Sequence, residues 1–212
     1  MTVVYSRPER IADAIVHAFG VTAATIATTV LVALAISAGS AERIAAAAIY
    51  GFGLLATFGF SAAYNHCTAP AWKERLRRCD HAAIYVMIAG TYTPLALVAI
   101  GGPTGVTLLA TVWSVAFIGL ALKIAWPRRF ERVSLVLYLA LGWCGLFAAA
   151  AIIEALPVPA LVLLLVGGLL YTVGVGFHVW RGLKYQNAIW HACVLSAAAC
   201  HYAAVVQAIL PA

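Results

Sequence analysis

The chain has 212 residues, of which 65% are hydrophobic and only 9% are charged. A soluble domain carries about 25% charged residues, so this composition excludes a soluble monomer and predicts an integral membrane protein. The formal net charge of +6 does not indicate nucleic-acid binding, because the sequence contains no nucleic-acid-binding module. We attribute it to membrane orientation and to contact with anionic lipid headgroups, so the expected partners are membrane lipids.

Seven apolar runs are separated by short polar breaks, and each is long enough to cross the roughly 30 Å hydrocarbon core as a helix. We predict an all-α integral membrane fold, a single domain built as a seven-transmembrane helix bundle. A barrel would need alternating strands, which the sequence does not show. In the third helix, Pro94 should produce a kink, with Thr91 or Thr93 satisfying freed backbone groups. The predicted helices cover about residues 11–38, 44–67, 80–100, 106–126, 133–154, 160–180 and 187–210.

The Lys and Arg residues predict the orientation of the bundle. If the N-terminus is cytoplasmic, twelve of the thirteen basic residues lie on the inner side and only Arg43 lies outside. This asymmetry follows the positive-inside rule. We therefore predict that the chain spans the cell (inner) membrane with its C-terminus on the outer side. The inner basic residues are Arg7, Arg10, Lys73, Arg75, Arg77, Arg78, Lys123, Arg128, Arg129, Arg132, Arg181 and Lys184.

Polar side chains from distant parts of the sequence fall at one predicted depth. Asp80 is at the predicted start of the third helix, where an ionisable group is costly unless a partner meets it. Three further sets have four-residue spacing, which puts each set on one helix face. These sets are Ser61 with Asn65, Asn187 with His191, and Glu9 with Asp13 and His17. Together they predict a polar cavity open to the cytoplasm. His66 and His81 are each one residue off such a stripe, about 100° around the helix, and should point elsewhere.

Simpler structural roles are also compatible with these residues. Asp80 could cap its helix, His191 could be a packing histidine, and Asp13 with His17 could form an ion pair that stabilises the first helix. For His178 and His201 we expect packing or a hydrogen bond within the bundle.

Three segments carry a family resemblance. The first is ERIADAIVHAFG at residues 9–20. The second is SAAYN at residues 61–65, followed by a basic loop and then by LRRCDHAAIYVMIAGTYTP. The third is NAIWHACVLSAAACHY at residues 187–202. In this order and with seven spans, the chain resembles the hemolysin III family, the bacterial branch of the progestin and adipoQ receptors. The resemblance covers nearly the whole chain.

The resemblance implies a site with zinc. The wider family, and a related superfamily of membrane hydrolases that includes the alkaline ceramidases, has Ser-x-x-x-His in helix two, Asp at the start of helix three and His-x-x-x-His in helix seven. The three histidines hold zinc, and the Asp handles a zinc-associated water. Ser61, Asp80 and His191 match this pattern, whereas Asn65 and Asn187 replace two histidines.

An Asn amide is a poor zinc ligand. We therefore expect no cofactor, and a network in which Asp80, His191 and the two amides are joined by hydrogen bonds. Zinc bound by His191 and Asp80 is the alternative.

Three functions are compatible with the sequence, and we favour the first. The first, implied by the resemblance, is a role in membrane lipid or energetic homeostasis, in which the polar cavity senses or binds a lipid or a proton. The second is a metal-dependent hydrolase of lipid amides, with Asp80 as the base and Ser61 as the other catalytic residue. The third is a pore or ion conductor, which the lack of charge in the outer half of the bundle disfavours.

Overall fold

The computed structural model describes residues 5–126, 129 and 131–210, without the side chain of Arg132. Within these residues seven helices are long and apolar enough to cross a membrane, and none of the described residues forms a strand. The predicted all-α, seven-helix fold is therefore confirmed. Arg128 and the side chain of Arg132, two of the basic residues that predict the orientation, lie outside the described residues. The cytoplasmic position of the N-terminus stays a prediction.

Eight α-helices build the seven crossings. The fifth crossing, Val133–Ala155, is interrupted by the 3-10 helix Cys144–Ala148, and the third continues into the π-helix Leu95–Ile100. The α-helices are α1 Arg7–Ser37, α2 Ala41–His66, α3 Pro70–Pro94, α4 Gly102–Ala125, α5 Glu131–Gly142, α6 Ala149–Ala155, α7 Val158–Val179 and α8 Gln186–Ile209.

The start of α3 differs from the prediction. The helix begins at Pro70 instead of near Asp80, because proline suits the first helical turn and the Lys, Glu, Leu and Arg residues that follow are strong helix formers. Arg77 binds Glu74 at 3.1 Å and Glu131 at 2.8 Å, which stabilises the polar turns. Asp80 thus lies roughly 15 Å along the helix at 1.5 Å per residue. The alternative in which Asp80 caps its helix is therefore wrong.

Pro94 marks the change from α-helical to π-helical turns. The Thr91 and Thr93 hydroxyls donate to the carbonyls of Met87 and Ala89, each at 2.8 Å. They therefore do not satisfy the carbonyl of Gly90, the acceptor that the missing N–H of Pro94 leaves free. That detail of the prediction is wrong.

Helix α3 lies between two apolar cores. One core contains Tyr50, Leu54 and Val205, and the other contains Tyr85 and Val112. Small residues let α3 approach α2 closely, as expected for helices packed in lipid. A Cβ atom added at Gly53 would lie 3.2 Å from the Cα of Met87, and one added at Gly90 would lie 3.3 Å from the carbonyl oxygen of Ile49. This contact holds the polar ends of α2 and α3 side by side.

Replacing Gly53 with a branched residue should force these helices apart. We expect Gly53→Val to lower the free energy of unfolding by about 1–3 kcal/mol, the usual cost of overpacking. The matched control is Gly59→Val in the same helix, where an added Cβ meets nothing within 4 Å. Thermal unfolding in detergent measures both variants. Equal midpoints for the two would contradict the close α2–α3 contact.

Candidate functional site

The structure joins polar side chains from four helices at the end of the bundle that carries the N-terminus. Six of the residues predicted to share a depth form one hydrogen-bonded network, and Asp80 lies beside it. We call this set the polar network. Its members are Asp13 and His17 on α1, Ser61 and Asn65 on α2, Asp80 on α3, and Asn187 and His191 on α8.

Asp13 is the hub of the polar network. Its Oδ1 accepts a hydrogen bond from His191 Nδ1 at 2.7 Å, and its Oδ2 accepts one from Asn187 Nδ2 at 3.0 Å. Its backbone carbonyl accepts from His17 Nδ1 at 2.8 Å. Asp13 is only 6% exposed and His17 only 3%, so these bonds compensate for the burial of the charge. An ion pair confined to the first helix is therefore an incomplete description, because the shortest bond of the carboxylate reaches α8.

The partners of the two imidazoles fix their tautomers. A backbone carbonyl and a carboxylate only accept hydrogen bonds, so Nδ1 carries the proton in both His17 and His191. In the neutral rings each Nε2 is then an acceptor. Both Nε2 atoms face the Ser61 hydroxyl, at 3.3 Å from His17 and 3.4 Å from His191. The two ring centroids are 4.2 Å apart.

The two asparagines connect the polar network. Asn65 Nδ2 donates to the Ser61 carbonyl at 2.9 Å, and Asn187 Nδ2 donates to Asn65 Oδ1 at 3.1 Å as well as to Asp13. Their NH₂ groups are engaged as donors, and an amide nitrogen offers no lone pair to a metal. The zinc site that the family resemblance implies, at positions 65, 187 and 191, therefore does not fit these residues.

A different set of donors does fit a metal. Asp13, His17 and His191 each offer a ligand atom, and these atoms lie within 4.8 Å of one another. Imidazole nitrogen and carboxylate oxygen are the donors that zinc takes in proteins. The family pattern includes no ligand on helix α1, so only His191 and Asp80 were predicted as metal donors and the donors on α1 were not.

Asp80 enters the site from α3. Its carboxylate lies close enough to the Ser61 hydroxyl and to His191 to interact electrostatically with both. Ser61, which is 8% exposed, is thus surrounded by two imidazoles, a carboxylate and the Asn65 amide, whose Nδ2 lies 3.5 Å from its hydroxyl. The single proton of the Ser61 hydroxyl therefore has several neighbouring acceptors.

Glu9 lies on the α1 stripe but outside the polar network. Its carboxylate accepts from the backbone and hydroxyl of Ser6, which caps α1, and from the backbone N–H of Tyr185 at 2.9 Å. It therefore ties the start of α1 to the start of α8.

The prediction that His66 points elsewhere is wrong. Its ring centroid lies 5.2 Å from that of His17, in an edge-to-face contact. Helix α1 packs on this flank of α2, so a side chain turned away from Asn65 still meets α1. The His81 ring contacts Tyr64 instead, at 6.4 Å between centroids. His201 bonds the Leu164 carbonyl at 3.2 Å and His178 packs on Trp190, as expected for histidines within a bundle.

Comparison with known proteins matches residues 6–202 to the family described as Haemolysin-III related. The chain is 37% identical over 203 residues to Hemolysin-3 of Bacillus cereus, across 96% of this chain and 93% of that protein. It is 38% identical over 198 residues to the Hemolysin-3 homolog of Bacillus subtilis (strain 168), across 93% of each. It is 31% identical over 207 residues to the Monocyte to macrophage differentiation factor of Homo sapiens, across 93% of this chain and 83% of that protein.

Removing the hub should destabilise the bundle. Asp13→Ala leaves His191 Nδ1 and Asn187 Nδ2 without their acceptor, so we expect the free energy of unfolding to fall by about 1–3 kcal/mol. Glu154→Ala, at an exposed site near the other end of the bundle, is the control and should change it by less than about 0.5 kcal/mol. Denaturant or thermal unfolding in detergent measures both. If Asp13→Ala were as stable as Glu154→Ala, Asp13 would not be the hub.

Proposed function

Because this chain belongs to the haemolysin-III related family, we propose that it acts in membrane lipid or energetic homeostasis through the polar network. The observation that carries the proposal is the convergence of buried carboxylate, imidazole, hydroxyl and amide groups from α1, α2, α3 and α8. A ligand with several hydrogen-bonding atoms, such as the polar part of a membrane lipid, suits this set of groups, and so does a proton.

The cost of the polar network supports a functional role. Ionisable groups within a transmembrane bundle are expensive and usually mark sites of function. Two helices can pack in a membrane without charged side chains between them. In this protein α2 and α3 pack closely at Gly53 and Gly90, where no charged side chain takes part. A purely structural contact would therefore not require two carboxylates and two imidazoles at one point.

The surroundings of the polar network favour a lipid as the partner. On α1 the network residues face inward, while Ile11 and Ile15 on the opposite flank are 50% and 64% exposed. The polar turns of α3 carry the exposed Arg75, which attracts anionic headgroups, and the half-exposed Trp72 in the same turns suits a membrane interface. A lipid held at this interface would have its polar part near the network.

Hydrolysis of a lipid amide is the second candidate, and the position of Ser61 favours it. The hydroxyl lies 3.3 Å and 3.4 Å from two imidazole Nε2 atoms that are free to accept a proton. Asp80, beside it, is a candidate base for a water molecule. A metal bound here would supply Lewis acidity and an activated water. The residues themselves orient the hydroxyl and hold the proton.

Loss of the Ser61 hydroxyl should abolish the function. In a bacterial host that lacks its own protein of this family, the wild type should change the lipid composition and the membrane potential relative to an empty vector. Ser61→Ala should behave like the empty vector, because it removes the group at which the polar network converges. Ser196→Ala, at an exposed position on α8, is the matched control and should behave like the wild type. Lipid mass spectrometry and a potential-sensitive dye measure the two effects.

The same variants separate the alternatives. If purified wild type releases fatty acid from an N-acyl lipid and Asp80→Asn lowers the rate by about 100-fold or more, the protein is a hydrolase. Ion flux in proteoliposomes that is unchanged in Ser61→Ala would instead favour a pore. If well-expressed Ser61→Ala restored both lipid composition and potential, the proposal would be wrong.

A further inference from the structure

A second set of polar side chains lies where α3 meets α4 and α5, away from the helices α1, α2 and α8 that supply most of the polar network. Two contacts of α3 join it to these neighbours. Arg77 Nη1 donates to the Glu131 carboxylate of α5 at 2.8 Å. Arg78 Nη1 donates to the Ile124 carbonyl of α4 at 3.3 Å. The three helices therefore meet around one region, at the end of the bundle that carries the N-terminus.

Lys123 is the most buried charge in this region. It lies on α4, two residues before the helix ends at Ala125, and it is only 2% exposed. A lysine near a helix end usually extends its ammonium group to the membrane surface. Lys123 instead lies close enough to Arg77 and Glu131 to interact electrostatically with both. Within the described part of the chain its ammonium group makes neither a hydrogen bond nor an ion pair.

Other nitrogen atoms in this region also lack partners. Among the described residues, neither Arg78 Nε nor Nδ1 of His178 on α7 has a hydrogen-bond partner, although both atoms are buried. His81 on α3 lies close enough to Lys123 and His178 to interact electrostatically with both, and so it connects them. We call these side chains the basic cluster. Its members are Arg77, Arg78 and His81 on α3, Lys123 on α4 and His178 on α7.

The carboxylates beside the basic cluster do not balance its charge. Arg77, Arg78 and Lys123 are three cations, whereas Glu74 and Glu131 are two anions. Arg77 binds both carboxylates, at 3.1 Å and 2.8 Å. One positive charge is therefore in excess even if both imidazoles are neutral. A buried charge without a counter-charge is strongly unfavourable, so an anion bound beside Lys123 would stabilise the bundle.

We propose that the basic cluster binds the phosphate group of an anionic membrane lipid. The cluster lies at the depth of lipid headgroups, because Trp126, directly after α4, is 52% exposed and tryptophan is typical of the membrane interface. Basic groups held between transmembrane helices are suited to such headgroups. This lipid site goes beyond the proposed function, since it uses none of the residues of the polar network.

The chemistry of the donors suits a phosphate. The ammonium group of Lys123 supplies a point charge, and the guanidinium of Arg78 supplies an N–H group that has no acceptor. The imidazole of His178 can add a further donor from α7 when Nδ1 carries a proton. A phosphate offers several acceptor oxygens to donors that come from different helices. It would also supply the missing negative charge.

Native mass spectrometry of the full-length protein tests this site. The protein is stripped of lipid in neutral detergent and then titrated with phosphatidylglycerol, which is anionic, or with phosphatidylcholine, which has no net charge. The wild type should hold one phosphatidylglycerol per chain in preference to phosphatidylcholine. Lys123→Gln should weaken the binding of phosphatidylglycerol by about tenfold or more, because it removes the buried charge that the phosphate neutralises.

Arg75→Gln is the matched control. It removes the same charge from the same end of the bundle, but from an exposed position on α3. At low salt we expect a loss of at most about fivefold, the contribution of one basic residue near the membrane surface. At about 0.5 M salt Arg75→Gln should bind like the wild type, since exposed charges are screened. The defect of Lys123→Gln should persist at that salt concentration.

Thermal unfolding gives a second measurement that does not depend on Lys123→Gln folding. Without lipid, Lys123→Met should unfold at a higher temperature than the wild type, because it replaces an unpaired buried charge with an apolar side chain. Phosphatidylglycerol should raise the midpoint of the wild type and leave that of Lys123→Met unchanged. A lower midpoint for lipid-free Lys123→Met would mean that Lys123 already has a counter-charge, and would overturn the lipid site.

Three further results would contradict the lipid site. Equal binding of phosphatidylglycerol and phosphatidylcholine by the wild type would show no selection for an anion. Unchanged binding in Lys123→Gln would place the lipid elsewhere. If inorganic phosphate alone raised the wild-type midpoint as far as phosphatidylglycerol does, the ligand would be a free anion and not a lipid.

Ser61→Ala separates this site from the proposed function. It removes the hydroxyl of the polar network and leaves the basic cluster intact, so it should bind phosphatidylglycerol like the wild type. Loss of this binding in Ser61→Ala would place the lipid at the polar network and overturn a separate site. Failure of Ser61→Ala to change lipid composition or membrane potential in cells would instead contradict the proposed function alone.

Discussion

The hydrogen bond between Asp13 Oδ1 and His191 Nδ1, 2.7 Å long, is the interaction on which the polar network depends. It joins the first membrane-crossing helix to the last within an apolar bundle, where an unpaired carboxylate would be costly. It also determines which nitrogen of His191 carries the proton, and so turns Nε2 toward Ser61. Without this bond the orientation of His191 Nε2 as the second acceptor at Ser61 would have no physical basis.

The rest of the fold brings other groups to this bond. Helix α3 lies between the two apolar cores, and its glycine contacts with α2 bring Asp80 next to Ser61. The capping contact of Glu9 with Tyr185 fixes the start of α1 against the start of α8. Packing of small residues thus brings the helices close together, and the Glu9 and Asp13 contacts fix the start of α1 relative to α8.

Much of this arrangement could be predicted from the sequence. Seven apolar runs gave the helix count, because each run has the length of a membrane crossing. The four-residue spacing of Ser61 with Asn65 and of Asn187 with His191 identified the helix faces that meet. Its predicted depth identified Asp80 as a further ionisable group of the site, and Asp80 lies close enough to Ser61 to interact with it.

Other features were not accessible from local patterns. Spacing shows which residues share a face of one helix, but it does not show which neighbouring helix that face meets. For this reason the spacing suggests a pair within α1 for Asp13, although its shortest bond reaches α8. It also suggests that His66 points away from the stripe of Ser61 and Asn65, although His66 contacts His17. The start of α3 was missed because its first turns are basic, and a search for apolar runs does not detect a polar helical extension.

A double-mutant cycle between Asp13 and His191 tests the central interaction most directly. The free energies of unfolding of Asp13→Ala, His191→Ala and the double variant are measured in the same detergent. If the two side chains are bonded across the bundle, the double variant should lose less stability than the sum of the single variants, by about 1–3 kcal/mol. Additivity within about 0.5 kcal/mol would contradict a direct bond between α1 and α8.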